Sequence, residues 1–243
     1  GTPRMADSTS KLERIYEFNS AAVEQIKFEG REVEQSLIDD RVAAIRHPDL
    51  GSIVYTSGTT GRPKGVEITH GNWAYQCWAL LENEIGSVSF PGQRVVTFLP
   101  LAHVLARAVA LAWTISGATQ SHWSDTSTLT VELQRARPNL VVGVPRVFEK
   151  VREGAYNKAA DGSAIGKRLF LEAEKAAIEY SQALDTPEGP SRLQKAKVKL
   201  YDRLVYSKIK EAIGGSVWYG ITGGSAMNPD LSLFFRGMGV PIY

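Results

Sequence analysis

The ten residues Thr56-Ser57-Gly58-Thr59-Thr60-Gly61-Arg62-Pro63-Lys64-Gly65 bring together three glycines, four hydroxyls and two cations. Glycines let a backbone fold back tightly with its N–H groups turned outward, the hydroxyls add donors, and Arg62 and Lys64 add positive charge. Those are the needs of a bound polyphosphate. The Walker A pattern is not met, because only two residues separate Gly58 from the next glycine and Lys64 precedes Gly65 instead of Ser or Thr. Composition alone equally allows a hairpin loop in which these residues simply form turns.

Three other places carry residues with chemical potential. His103 stands in Leu99-Pro100-Leu101-Ala102-His103-Val104, near a helix start, where a lone histidine is more often structural than functional. Gly223-Gly224-Ser225-Ala226 follows a predicted strand, as glycine-rich strand-to-helix turns do throughout α/β folds. Val144-Pro145-Arg146-Val147-Phe148-Glu149-Lys150-Val151 reads as a proline-led helix start with an Arg146–Glu149 surface ion pair. His47, His70 and His122 lack metal-ligand spacing, so no zinc or iron site is expected.

The elements that must hold these residues alternate. Strands are predicted over Ser52 to Thr56, Val66 to Thr69, Arg94 to Leu99, Thr119 to Trp123, Leu140 to Val144, Ser216 to Thr222 and Val240 to Tyr243. Helices are predicted over Asn72 to Ile85, Leu101 to Ser116, Leu129 to Arg137, Val147 to Asn157, Ile165 to Leu184, Arg192 to Ile213 and Pro229 to Gly237. Such alternation implies an α/β fold with mainly parallel sheets and flanking helices. Two long helices joined by Asp185-Thr186-Pro187-Glu188-Gly189-Pro190 break the rhythm and read as a helical insertion. The expected organisation is a weakly structured lead-in over 1–31 with one short helix from Lys11 to Phe18, an α/β core over 32–145, the insertion over 146–214, and a return to the core over 215–243. Within the core, Val33, Leu37, Val42 and Ile45 mark a first helix that His47-Pro48-Asp49 ends.

Composition removes several function classes. Of 243 residues, 28 are basic and 26 acidic, a net charge of +2, which gives no general electrostatic case for nucleic-acid binding. The one cysteine, Cys77, excludes an internal disulfide and an all-cysteine metal site, and a reducing, cytoplasmic setting is expected. The most apolar stretch, around Val104 to Ile115, is interrupted by Arg107 and falls short of the roughly 20 residues that span a bilayer. The amino terminus has no apolar signal-peptide core, and its Gly1 start reads as processed or engineered.

The whole string Tyr55-Thr56-Ser57-Gly58-Thr59-Thr60-Gly61-Arg62-Pro63-Lys64-Gly65-Val66 resembles the phosphate loop of the adenylate-forming superfamily, and the other segments resemble its long-chain fatty acyl-CoA synthetases. The resemblance covers about residues 32 to 243 and implies the amino-terminal α/β region of such an enzyme. It implies activation of a long-chain fatty acid by ATP, with Mg2+, to an acyl-adenylate, and then transfer to coenzyme A. On that pattern Thr56, Ser57, Gly58, Thr59, Thr60, Gly61 and Lys64 hold the ATP phosphates, and Thr56 lies near the metal. Lys64 and His103 serve the reaction, His103 beside the acyl carbon, while Gly223, Gly224, Ser225 and Ala226 lie against the adenylate. In the family, a strand like Val240-Pro241-Ile242-Tyr243 leads into a Gly-Tyr-Gly…Thr-Glu segment, absent before Tyr243. An incomplete member that folds in part without full turnover is the expectation.

Two other functions stay open: a fatty acyl-AMP ligase that delivers to a carrier protein, and a non-catalytic module that binds nucleotide or acyl chain. Arg192, Lys195, Lys197, Lys199, Arg203, Lys208 and Lys210, against the single acid Asp202, read by default as a solvated helix face; the sharper reading is peripheral contact with anionic membrane.

Overall fold

Val95-Val96-Thr97-Phe98 and Leu140-Val141-Val142 are β-branched and apolar on both faces, as strands buried between two helical layers must be. The computed structural model describes residues 16, 19–56, 63–82 and 91–243. Except for Tyr16, the helix expected from Lys11 to Phe18 lies outside them. Two compact units are present, Gly1–Asp49 and Leu50–Tyr243.

The first unit holds α1 (Ser20–Glu29), a 3₁₀ turn (Gly30–Glu32) and α2 (Gln35–Ala44). Part of the lead-in is therefore helical. Asn19 starts α1 by accepting the Ala22 N–H at 2.9 Å, a local cap that needs no tertiary partner. Residues 32–49, grouped above with the core, fall in this unit, and Val33, Leu37, Val42 and Ile45 are exposed.

The second unit opens with β1 (Leu50–Thr56) and β2 (Lys64–Thr69), an antiparallel pair running from Leu50↔Thr69 to Thr56↔Lys64. Seven residues join them, too few for the crossover that parallel strands require. Then come α3 (His70–Glu82), β3 (Arg94–Thr97), α4 (Val104–Ser116), β4 (Thr119–His122), α5 (Leu129–Ala136) and β5 (Leu140–Gly143). The remainder is α6 (Pro145–Gly162), α7 (Ala164–Ala183), α8 (Arg192–Tyr201), a π-helical turn (Asp202–Tyr206), α9 (Ser207–Ala212), β6 (Tyr219–Thr222) and α10 (Pro229–Gly237).

The second sheet is parallel, in the order β4-β3-β5-β6. From β3 the chain crosses to β4 on one side, then returns past β3 to β5 and β6 on the other. The direction of winding thus reverses between β3 and β5. The strand expected from Val240 to Tyr243 reduces to a bridge, Gly220↔Ile242, with the Thr222 N–H donating to the Tyr243 carbonyl at 2.7 Å.

Strand alternation divides the core. Val95, Leu140, Val142 and Tyr219 pack with Val109 and Trp113 of α4. Val96, Phe98 and Val141 face Leu133, Phe148, Phe170, Phe234 and Phe235 from α5, α6, α7 and α10. The helices read as an insertion share this second core: Phe170 and Tyr206 both pack on Phe234, and Phe148 meets Phe235 edge-on at 5.6 Å. Backbones approach closely where Ala173 and Ala177 of α7 meet α10, and a Cβ on Gly237 would overlap the Ala177 backbone. Tyr206 donates to the Ala173 carbonyl at 2.7 Å, and burial pushes its phenol far above the usual range. The bidentate Arg152–Glu174 pair, at 2.6 and 2.8 Å, ties α6 to α7.

Candidate functional site at the sheet edge and hairpin

The hairpin tip is built from its base. Trp73 of α3 donates its indole N–H to Ser52 Oγ at 2.8 Å, and Thr69 and Asn72 cap each other at the β2–α3 junction. A side chain at Gly65 would come within 2.9 Å of Ile53 Cγ2, so glycine is needed for the pair Tyr55↔Gly65. This register puts Thr56 and Lys64 opposite each other, both exposed, at the open end of the ladder. Ser57, Gly58, Thr59, Thr60 and Gly61 lie outside the described residues. The two members of the predicted loop that are described therefore flank its ends. Among the described residues no carboxylate approaches Lys64 within 4.0 Å, and no group of three or more His, Cys, Asp or Glu is placed to ligate a metal.

The other predicted residues meet at the carboxyl edge of the parallel sheet. After β3 the chain turns at Pro100, where His103 N–H donates to the Pro100 carbonyl at 3.0 Å, and Arg107 Nε pins the turn through the Leu101 carbonyl at 3.0 Å. His103 is the exposed residue before α4, its carbonyl accepting the Arg107 N–H at 3.2 Å; its imidazole makes no cap bond. Across the edge, a Cβ on Gly223 would lie 3.1 Å from Leu105 Cδ2, two residues beyond His103. Gly224 has φ +87°, the left-handed region that favours glycine, and Val144 Cγ1 stands 3.9 Å from where its Cβ would be. Segments following β3, β5 and β6 therefore converge at one place.

Among the described residues, the amides of Gly223, Gly224, Ser225 and Ala226 donate to no backbone carbonyl, and Thr222 Oγ1 is buried without a hydrogen-bond partner. Outward N–H groups at a strand end, beside the point where sheet winding reverses, are the usual setting for anionic or nucleotide ligands in open α/β sheets. The structure sets Gly223 against Leu105, two residues beyond His103, and Gly224 beside Val144, while the hairpin register sets Thr56 opposite Lys64; the sheet edge and the hairpin belong to different sheets. Leu105 and Thr222 were not singled out by sequence, and Val144 was noted only as the start of the proline-led helix segment. Only their positions at the ends of predicted elements could have pointed to them.

A family model described as AMP-binding enzyme matches residues 4–243. The chain belongs to the AMP-binding enzyme family. Similar members include the long-chain-fatty-acid–CoA ligase FadD15 of Mycobacterium tuberculosis, 39% identical over 223 residues, covering 91% of this chain and 36% of the relative. The peroxisomal long chain acyl-CoA synthetase 7 of Arabidopsis thaliana is 34% identical over 193 residues, 77% of this chain and 25% of that protein. The chain thus spans about a quarter to a third of the length of these curated relatives. Among solved structures, the adenylation domain of a carboxylate reductase from Mycobacterium chelonae matches with a TM-score of 0.50 at 22% identity, over 92% of this chain and 32% of that one. The didomain of carboxylic acid reductase from Segniliparus rugosus, in complex with AMP, also gives 0.50, at 23% identity over 82% and 24% of the two chains. These likenesses show the α/β fold of adenylation domains.

Proposed function

We propose that this AMP-binding chain contributes the phosphate-holding and adenylate-facing parts of a long-chain fatty acid–CoA ligase. The observation that carries the reading is the sheet edge, where among the described residues the amides of Gly223 to Ala226 donate to no backbone carbonyl and Gly223 lies against Leu105, two residues beyond His103. In the proposed reaction a fatty carboxylate attacks the α-phosphorus of ATP, pyrophosphate leaves, and the thiol of coenzyme A then displaces AMP. A carboxylate is a weak nucleophile facing an anionic phosphate, so placement and charge neutralisation are the protein's main contributions.

Residues 57–63 connect the paired Thr56 and Lys64 in sequence, and the composition of the stretch suits the β- and γ-phosphates. Thr56 offers an exposed hydroxyl and Lys64 an exposed ammonium that no carboxylate approaches within 4.0 Å among the described residues. Mg2+ bound with ATP would neutralise part of the phosphate charge; Thr56 is the described residue suited to add an oxygen to it. His103 belongs to the acyl side, by position next to the Leu105 contact. It has no general-base duty, because a carboxylate is already deprotonated at neutral pH.

Hydroxamate trapping tests the reading on the 243-residue chain and on a chimaera that continues it with the remainder of FadD15 from M. tuberculosis. The expected result is palmitoyl hydroxamate from the chimaera with ATP and palmitate, diverted to palmitoyl-CoA when coenzyme A is added. Trapping that ignores coenzyme A would favour delivery to a carrier protein. A folded chimaera that binds ATP and traps nothing would leave a binding module.

A further inference from the structure

We propose that the helical rod formed by α8, the π-helical turn and α9 docks the protein on anionic lipid surfaces, independently of the reaction proposed above. One face of the rod is committed to the core: Val205, Tyr206 and Ile209 are buried, and Val198 and Tyr201 pack against the same cluster. The opposite side carries an apolar row that the core leaves unused. Leu193, Leu200 and Leu204 are 67%, 55% and 43% exposed, at spacings of seven and four residues that keep side chains on one face of a helix.

Cations flank that row. Arg192, Lys195, Lys197, Lys199, Arg203 and Lys208 are all exposed, and among the described residues none has a carboxylate within 4.0 Å. Of the acids nearby, Asp202 holds Lys210 at 2.7 Å, and Glu172 and Glu179 of α7 are paired with Arg168 and Lys175 of their own helix; Glu211, exposed near the end of α9, is a carboxylate of the rod itself without an ion pair among the described residues. A chain of net charge +2 therefore concentrates six unpaired cations in 17 residues, around three exposed leucines. Charge alone would suit any polyanion. Leucines between the cations add nothing toward a phosphodiester backbone, but at a bilayer they enter the boundary between headgroups and acyl chains while the basic side chains meet anionic headgroups. Among the described residues no helix is long and apolar enough to cross a membrane, so this rod would lie on the surface.

Vesicle co-sedimentation tests the proposal with the 243-residue chain, using vesicles of phosphatidylcholine alone or with 30% phosphatidylglycerol, at low and high salt. Binding should require the anionic lipid and weaken with salt. Lys195→Gln/Lys197→Gln/Lys199→Gln should lower the partition coefficient by on the order of a hundred-fold, at roughly five-fold per charge. A matched triple away from the rod, Lys64→Gln/Lys150→Gln/Lys158→Gln, should leave most of the binding. Leu193→Ser/Leu200→Ser should remove the part that survives high salt. All substituted side chains are exposed, and circular dichroism checks that each variant is folded. Equal binding to both vesicle types, equal losses from the two lysine triples, or tighter binding to heparin or poly(A) than to anionic vesicles would overturn the proposal.

Discussion

Lys64→Ala should weaken ATP binding while leaving AMP binding unchanged. Lys64 opens β2 opposite Thr56, is exposed, and lacks a carboxylate partner among the described residues, so the fold loses little when its ammonium is removed. A hydrogen bond to a charged group contributes about 1.5–3 kcal/mol, which at about 1.4 kcal/mol per decade is roughly a 10- to 150-fold change in Kd. Exposure and salt screening place the expected loss near the lower end, about ten-fold at physiological ionic strength. Calorimetric titration of the 243-residue chain with Mg-ATP, ADP and AMP measures it, and a thermal melt shows whether the variant is folded. The full loss should appear with ATP, none with AMP. Equal weakening of ATP and AMP, or an unchanged ATP affinity, would remove Lys64 from the terminal phosphates.

Further outcomes follow from individual positions. Gly154 in α6 has nothing within 4 Å of where its Cβ would be, so Gly154→Ala should raise stability by about 0.4–1 kcal/mol in urea titration. The same change at Gly237 drives a methyl group into the Ala177 backbone and should cost about 1–3 kcal/mol, so shifts of the same sign would contradict the α7–α10 packing. The Arg236 guanidinium, 2.7 and 2.8 Å from Asp185, holds that carboxyl below its ordinary 3.8. Its contribution to stability is therefore present above about pH 3.8 and lost as pH falls through the lower folded value; Asp185→Asn should be less stable at neutral pH and converge with the parent in strong acid. His103→Ala, tested in the FadD15 chimaera, should change the dependence on palmitate concentration more than that on ATP, and the reverse would move this side chain to the nucleotide.

Much of the architecture was legible locally because local rules determined it. The runs around Val95 and Leu140 are β-branched and apolar on both faces, which only a strand covered by helices satisfies, and Pro145 and Pro229 stand at helix starts where a missing N–H is harmless. The seven-residue link between β1 and β2 already required an antiparallel hairpin, an exception within the mainly parallel sheets that alternation implied. The helix from Arg192 was foreseen, but the wide turn at Asp202–Tyr206 was not, since it depends on where Tyr206 and Ile209 find room in a core made by α7 and α10.

The chemistry divides in the same way. Residue types, spacing and resemblance in the sequence selected Thr56 to Lys64, His103 and Gly223 to Ala226 as candidates and pointed to the adenylate-forming superfamily, and the family match agrees. Only the folded chain placed Gly223 against Leu105, left the strand-end amides unengaged, and turned Leu193, Leu200 and Leu204 outward between lysines. Side-chain periodicity establishes which residues share a face of an element. Whether that face is covered depends on partners from other elements, some close in the chain and some more than a hundred residues away, as Leu105 is from Gly223, and close packing of those partners is a property of the whole fold.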